Sequence, residues 1–141
     1  MRISAESEYA CRALLELALN WSGRALIQVS AIAKRQDIPL KYLEQIIIQL
    51  KSVRLVESAR GKRGGYRLAK APGEISLGDV MRTIKGPILQ VADTRQLKKK
   101  SVFTAIWKEV EDSIVKVLDK VNFEDIANKA KSMEGAIIYQ I

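Results

Sequence analysis

A short basic, glycine-rich stretch between two apolar runs is the feature that most constrains the fold of this chain. It reads Arg60-Gly61-Lys62-Arg63-Gly64-Gly65-Tyr66-Arg67, and the apolar runs cover residues 55–59 and 66–69. Two runs of this length around a glycine-containing turn are typical of a β-hairpin, and Pro72 ends the second strand. Three glycines within six residues allow close approach to another surface, and four arginine or lysine side chains within eight residues favour phosphate groups. The stretch predicts a basic hairpin that reaches toward an anionic partner.

The residues before the hairpin predict two helices joined by a three-residue turn. Ser30 can cap a helix that runs to about Gln36, and Asp37-Ile38-Pro39 ends that helix. Pro39 suits the first position of the next helix, because the N–H that proline lacks has no partner there. Apolar residues at helical spacing give this second helix a buried stripe: Leu43, Ile46, Ile47 and Leu50. With the hairpin, the pattern predicts a mainly α winged helix-turn-helix with a small β-hairpin wing.

The polar side of the second helix has the side chains that read DNA bases. Glutamine can pair with adenine, glutamate can accept from cytosine, and lysine can reach guanine or phosphate. The candidates on this helix are Lys41, Tyr42, Glu44, Gln45 and Gln49. The other candidate DNA-binding residues precede this helix or belong to the hairpin: Ser30, Arg60, Lys62, Arg63, Gly64, Gly65 and Tyr66. A solvated helix face, or a basic face that serves a partner other than DNA, stays open as the alternative.

The remaining segments predict a helix on each side of this unit and a C-terminal arm. A core helix is expected from about residue 7 to residue 20, and Ser76-Leu77-Gly78-Asp79 resembles a capping box that opens a helix to about Ile84. We therefore expect a DNA-binding domain over residues 1–85, a loop over 86–100 and a dimerisation arm over 101–141. The arm would end in a short helix from Phe123, capped by Asn122, to about Lys131, followed by an apolar tail over residues 136–141.

The long helix of the arm carries an apolar seam in alternating steps of four and three residues. Its members are Phe103, Trp107, Val110, Ile114, Val117 and Val121. This heptad spacing is typical of a helix that pairs with another helix, although the seam could also pack on its own domain. We predict a homodimer whose two recognition helices meet a near-palindromic operator in double-stranded DNA. With no evident polymerase-contacting domain, such a dimer is expected to repress by occlusion.

Charge and residue usage narrow the function further. The net charge is +8, and residues 1–85 hold 15 Lys and Arg against 8 Asp and Glu, whereas residues 86–141 hold 9 against 8. No apolar run approaches the roughly 20 residues that span a bilayer, and no signal peptide is evident, so we expect a cytoplasmic protein with no membrane partner. With one cysteine and no histidine, the usual metal sites and catalytic triads have no ligands or bases, so we expect no metal and no enzyme activity.

Cys11 is the one candidate redox sensor. A reactive thiol needs access to solvent and stabilisation of its thiolate. Its position in the first helix, between Ala10 and Ala13, favours the alternative of a small buried or half-buried core residue.

Four motifs resemble the Rrf2-type bacterial regulators, the family that includes IscR, NsrR and CymR. The motifs are Met1-Arg2-Ile3-Ser4 leading to Tyr9-Ala10, Leu40-Lys41-Tyr42-Leu43-Glu44-Gln45, Arg60-Gly61 through Gly64-Gly65-Tyr66, and Ile75-Ser76-Leu77-Gly78-Asp79-Val80. The resemblance runs along essentially the whole chain. It implies a homodimeric winged-helix transcription factor, dimerised through the long helix, in which Lys41, Tyr42, Glu44, Gln45, Arg60 and the wing tip face DNA.

The chain departs from the cluster-binding members of that family. Those members carry three cysteines in the loop before the long helix, but residues 86–106 here contain neither cysteine nor histidine, so we expect no iron–sulfur cluster. Glu8 lies where some relatives donate an oxygen ligand, and a helix N-terminal acid favoured by the dipole explains it better. The cysteine-free loop, Gly86-Pro87-Ile88 and the ending Ile138-Tyr139-Gln140-Ile141 look most like the CymR type. That likeness implies control of cysteine and sulfur metabolism genes, with O-acetylserine (thiol)-lyase as a partner.

Overall fold

A computed structural model of the protein describes residues 2–60, 64–86 and 101–139, with side chains as far as residue 135. This part of the chain forms six α-helices, a 3-10 turn and one two-stranded antiparallel sheet. The helices are α1 (Ala5–Leu19), α2 (Val29–Gln36), α3 (Leu40–Ser52), α4 (Leu77–Lys85), α5 (Val102–Lys120) and α6 (Phe123–Tyr139). The strands are β1 (Val56–Ala59) and β2 (Gly65–Leu68), and the 3-10 turn is Pro72–Glu74. The mainly α fold with a hairpin wing is confirmed.

Helix α1 is the centre of the packing and contacts α2, α3, α4, α6 and β2. It begins at Ala5, two residues earlier than predicted, because Ser4 caps it: the amide of Ser7 donates to the Ser4 hydroxyl at 3.1 Å. Its buried side includes Ala13, Leu14 and Leu17. Small and branched apolar residues on one side of α1 let several helices approach it, so the core forms around this helix.

The helix-turn-helix is present, with two local corrections. Ser30 is not the N-cap of α2; Gln28 is, and its carbonyl accepts from Ala31 at 3.0 Å and from Ile32 at 3.1 Å. The reason is that Ile27 pairs with Tyr66 as an isolated bridge, so the extended segment ends at Gln28 and the helix follows at once. Pro39 is the N-cap of α3 and not its first residue, because its ψ of 126° is extended and its carbonyl accepts from Leu43.

The wing lies against the start of α2. Its strands pair from Val56 with Leu68 to Ala59 with Gly65, and the bridge between Ile27 and Tyr66 joins the second strand to the segment before α2. Gly65 allows this approach, since a Cβ atom there would lie 2.7 Å from the carbonyl carbon and oxygen of Ile27. The two predicted strands are confirmed. Strand β1 is one residue shorter than predicted, and β2 is shifted by one residue toward the N-terminus.

A short backbone bridge connects the segment before α4 to the turn between α5 and α6. Ser76 caps α4 in a reciprocal capping box with Asp79, as predicted, and also bridges Asn122. Asn122 caps α6, because its side-chain oxygen accepts from the amide of Asp125 at 2.9 Å. The prediction of a short final helix ending near Lys131 was wrong: α6 continues to Tyr139. The helix therefore includes most of the segment expected as an apolar tail, and the side chains of that segment lie outside the described ones.

Within the described ranges, no helix combines the length and the apolar character that crossing a membrane requires.

Candidate nucleic-acid interface

Helix α3 presents one polar face to solvent and buries the opposite one. The predicted apolar stripe is buried as a unit, which is confirmed for Leu43, Ile46, Ile47 and Leu50. Lys41, Glu44 and Gln45 are exposed. Gln49 is half-buried and lies toward the edge of this face. The base-reading chemistry predicted for this helix is thus accessible, mostly within its first two turns.

Ile48 is an exposed residue of this face that was not among the predicted site residues. Ile48 is 65% exposed, although isoleucine is usually an interior residue. It lies seven positions after Lys41 and four after Glu44, so it shares their face of the helix. Counting the i, i+3, i+4 and i+7 positions of the polar face would have included it.

Tyr42 connects α3 to α1. Its side chain is 55% exposed, and its ring centroid lies 6.4 Å from that of Tyr9 at an interplanar angle of 53°. A tilted pair at this distance is a favourable aromatic contact. Tyr42 is therefore both accessible and oriented by α1.

Glu16, which the sequence pattern did not indicate as a functional residue either, is a buried acid that holds α2 against α1. Glu16 is buried, and its two oxygens accept from Arg35 at 3.0 Å and from Gln36 at 2.9 Å. Both donors lie at the end of α2, one turn before α3 begins. Nothing in the sequence of α1 itself distinguishes Glu16 from an exposed acid.

The described basic residues of the wing have different surroundings. Arg60 is exposed, whereas Lys62 and Arg63 lie outside the described residues, as does Gly61. Arg67 is engaged inside the hairpin, because its guanidinium pairs with Glu57 at 2.6 Å. Tyr66 is half-buried and packs against the core, and Gly64 and Gly65 are half-buried at the base of the tip. Ser30 is exposed in the first turn of α2.

Helix α5 leaves its apolar seam uncovered. None of its residues is buried by the part of the chain that the structure describes, and Phe103, Trp107 and Val117 are 57%, 44% and 62% exposed. Val110 is also exposed, while Ile114 and Val121, nearer the bridge to α4, are half-buried. Arg82 of α4 holds the end of the helix by donating to Asp119 at 2.8 Å. Among the described residues, the half of α5 that includes Phe103, Trp107 and Val110 is exposed, and the alternative that the seam packs on its own domain stays open.

Cys11 has the environment of a core thiol. Burial, and secondarily the negative charge of Glu8, raise the pKa of Cys11 to about 11. Arg12, its neighbour in sequence, pairs with Glu8 at 3.1 Å instead. A thiol with this pKa carries little thiolate at neutral pH, which disfavours a sensing role.

The donor groups of the chain do not fit a thiolate-ligated iron–sulfur cluster. Such clusters need several cysteine or histidine ligands, and the sequence holds one cysteine and no histidine. Among the described side chains, no three of the metal-binding types gather into a possible site.

A helix-turn-helix with an exposed polar face on its second helix, followed by a basic hairpin, defines the winged-helix class of DNA-binding proteins. Comparison with known proteins identifies the group within that class. The family model Rrf2, described as an iron-dependent transcriptional regulator, matches residues 3–129. The chain belongs to the Rrf2 family of transcriptional regulators; it is a DNA-binding protein and not an enzyme.

Three comparisons illustrate the relationship. The regulator CymR of Bacillus subtilis is 31% identical over 143 residues, which cover 100% of each chain. The solved structure of that protein, the global cysteine regulator of B. subtilis, superposes with a TM-score of 0.80 over 92% of this chain and 98% of the other. The structure of IscR from T. potens is 34% identical, with a TM-score of 0.79 over 92% and 88% of the two chains. The predicted family and fold class are confirmed.

Proposed function

We propose that the protein is a homodimeric repressor that binds a near-palindromic operator through α3 and the wing. The observation that carries this proposal is the exposed polar face of α3 beside a basic hairpin. Lys41, Glu44 and Gln45 would contact base edges, because helix N-termini enter the major groove in this class. Arg60 and the basic tip residues Lys62 and Arg63 would contact phosphate groups.

Dimerisation would follow from the exposed seam of α5. Apolar side chains such as Phe103, Trp107 and Val117 are costly to leave in water along one helix side, and a second copy of α5 offers the same spacing. A two-fold dimer places two copies of α3 on successive turns of DNA, which favours a near-palindromic operator.

The regulated genes and the partner enzyme are proposed from the likeness to the CymR type. The solved structure of B. subtilis CymR is that of a global cysteine regulator, and residues 86–100 of this chain contain no cysteine. We therefore propose control of cysteine and sulfur metabolism genes in the cytoplasm, without an iron–sulfur cluster and with O-acetylserine (thiol)-lyase as partner. Protein purified anaerobically and incubated with iron and sulfide should then gain no visible absorption band.

The experiment that tests the proposal measures DNA affinity as a function of salt. The operator is first enriched from a random duplex library with the wild-type protein, and its affinity is compared by fluorescence anisotropy with that of a scrambled duplex. The wing variant replaces Arg60, Lys62 and Arg63 by alanine. The matched control removes the same charge from α5 and α6 by replacing Lys116, Lys129 and Lys131.

The wing variant should bind more weakly, and the slope of log K against log salt should fall by about one for each lost phosphate contact. The control variant should bind as the wild type does. Equal affinity for operator and scrambled DNA, or equal weakening in the two variants, would reject the proposal. In transcription reactions, added protein should lower the transcript from an operator-containing template; a rise would reject repression.

A further inference from the structure

The polar face of α3 has one apolar group on it. Ile48 is 65% exposed and occupies the i+7 position of a face whose earlier members are Lys41, Glu44 and Gln45. Helix α3 packs on α1, α2, α4 and β1 through its opposite, buried side. The Ile48 side chain is therefore presented on the same surface as the base-reading groups, and the described part of the chain does not cover it.

The major groove offers one methyl group that an isoleucine could contact. Thymine alone has a C5-methyl group there, cytosine has only a C5–H at the same place, and the remaining recognition groups of the base edges are hydrogen-bond donors or acceptors. Isoleucine cannot satisfy a donor or acceptor, so placing it over a polar base edge would leave that edge without its water. We infer that Ile48 packs on a thymine methyl and makes that thymine a specificity-determining base of each half-site.

The helix geometry limits where that thymine lies. Ile48 follows Glu44 by four residues, which is about 6 Å along the helix axis. Successive bases of one strand are about 3.4 Å apart. The thymine should therefore lie within about two base pairs of the pair contacted by Glu44. This inference rests on the proposed function, because it needs α3 to enter the major groove.

Replacing thymine by deoxyuridine in the operator tests the contact directly. Deoxyuridine removes only the C5-methyl group and keeps base pairing. Each thymine of the enriched operator is replaced in turn, and affinity is measured for the wild type, Ile48→Ala and Val53→Ala. Val53 is a matched control, since it is also β-branched, is 47% exposed and directly follows α3.

We expect one position in each half-site at which deoxyuridine weakens wild-type binding about fourfold, the factor that corresponds to burying one methyl group. Ile48→Ala should bind the thymine operator more weakly than the wild type and lose nothing further at that position. Val53→Ala should keep the wild-type sensitivity.

Other outcomes separate the two proposals. An enriched operator with no position whose deoxyuridine penalty disappears in Ile48→Ala would overturn the contact while leaving the proposed function in place. A library that yields no enriched sequence would reject the proposed function, and the thymine contact with it.

Discussion

Glu16 is a buried acid whose role is to fix the position of the helix-turn-helix. Its carboxylate accepts from Arg35 and Gln36, and the side chain lies between α1 and the end of α2. We expect Glu16→Ala to lower the free energy of unfolding by about 1–3 kcal/mol, because charge-assisted hydrogen bonds and buried volume are both lost. Urea unfolding followed by circular dichroism measures this.

The control for that measurement is Glu109→Ala, which removes an exposed acid from α5 and changes the net charge equally. Its unfolding free energy should stay within about 0.5 kcal/mol of the wild-type value. If the two variants were equally stable, the carboxylate of Glu16 would not be what joins the two helices.

Cys11 should react slowly while the protein is folded. Because the pKa of its thiol is raised from 9.0 to about 11, the thiolate fraction at neutral pH is about a hundredfold lower than in the unfolded chain. The rate of alkylation by iodoacetamide at pH 7.5, followed by mass spectrometry, should differ between native and urea-unfolded protein by at least that factor. Equal rates in native and unfolded protein would show that the thiol is accessible, and would support the hypothesis that Cys11 is a redox sensor.

The same shift has a consequence for stability at high pH. The unfolded state, with the lower pKa, loses the thiol proton first, so this group's stabilising contribution is complete below about pH 9 and is lost as the pH rises to about 11. The Cys11→Ser variant should lack this part of the loss of folding stability at alkaline pH.

Residue roles could be predicted from the sequence where a periodic pattern determines them. The buried stripe of α3 follows from spacing alone, and so does the exposure of Glu44 and Gln45. Glu16 could not be assigned in this way, because an acid on the buried side of a helix is explained only by the donors Arg35 and Gln36 that tertiary packing places beside it. The position of Ile48 does follow from the spacing of the polar face, but a search for polar side chains passes over an isoleucine.

At the scale of elements, the wing depends on a close backbone approach at Gly65. A Cβ atom at this position would meet the carbonyl group of Ile27 at 2.7 Å and the amide nitrogen of Gln28 at 3.0 Å, and backbone atoms cannot rotate away. Gly65→Ala should therefore displace β2, lower the unfolding free energy by about 1–3 kcal/mol and weaken operator binding.

The matched control is Gly23→Ala, because a Cβ atom there has nothing within 4 Å. The midpoint temperature of thermal unfolding of this variant should be close to that of the wild type. A Gly65→Ala protein as stable as the Gly23→Ala protein would mean that the hairpin and the segment before α2 can separate at little cost.

The elements themselves follow from local sequence better than their ends do. Ser76 with Asp79, and Asn122 before α6, cap helices as predicted because the capping hydrogen bonds are local. The start of α2 was misplaced because a long-range bridge to Tyr66 ends the preceding extended segment at Gln28. The length of α6 was underestimated because an apolar run near a chain end is equally compatible with a helix and with a docked tail.

At the scale of the whole molecule, the described part of the chain leaves much of the apolar seam of α5 exposed. The core formed around α1 includes Phe123 and Ala127 at the start of α6, so the C-terminal segment returns to the wing domain after α5. The backbone bridge between Ser76 and Asn122 and the ion pair of Arg82 with Asp119 hold one end of α5 against α4. The orientation of α5 is thereby coupled to that of α4, which in turn contacts α3. In the proposed dimer, the partner copy that covers the seam would set the separation of the two α3 helices.

Disrupting the seam should therefore produce a folded monomer that reads only half an operator. We expect Trp107→Glu combined with Val110→Glu to convert a dimer into a species near the chain mass of 15.8 kDa in light scattering. The far-ultraviolet circular dichroism should persist, because α5 contributes no side chain to the described core. Lys116→Glu, on the charged side of α5, should stay dimeric.

The affinity of the double variant for the full operator should fall about a hundredfold or more, because the second half-site no longer binds as an intramolecular event. Its affinity for a single half-site should be unchanged. A double variant that remains dimeric would place the interface elsewhere, and a monomeric wild type that binds the full operator tightly would refute the dimer model.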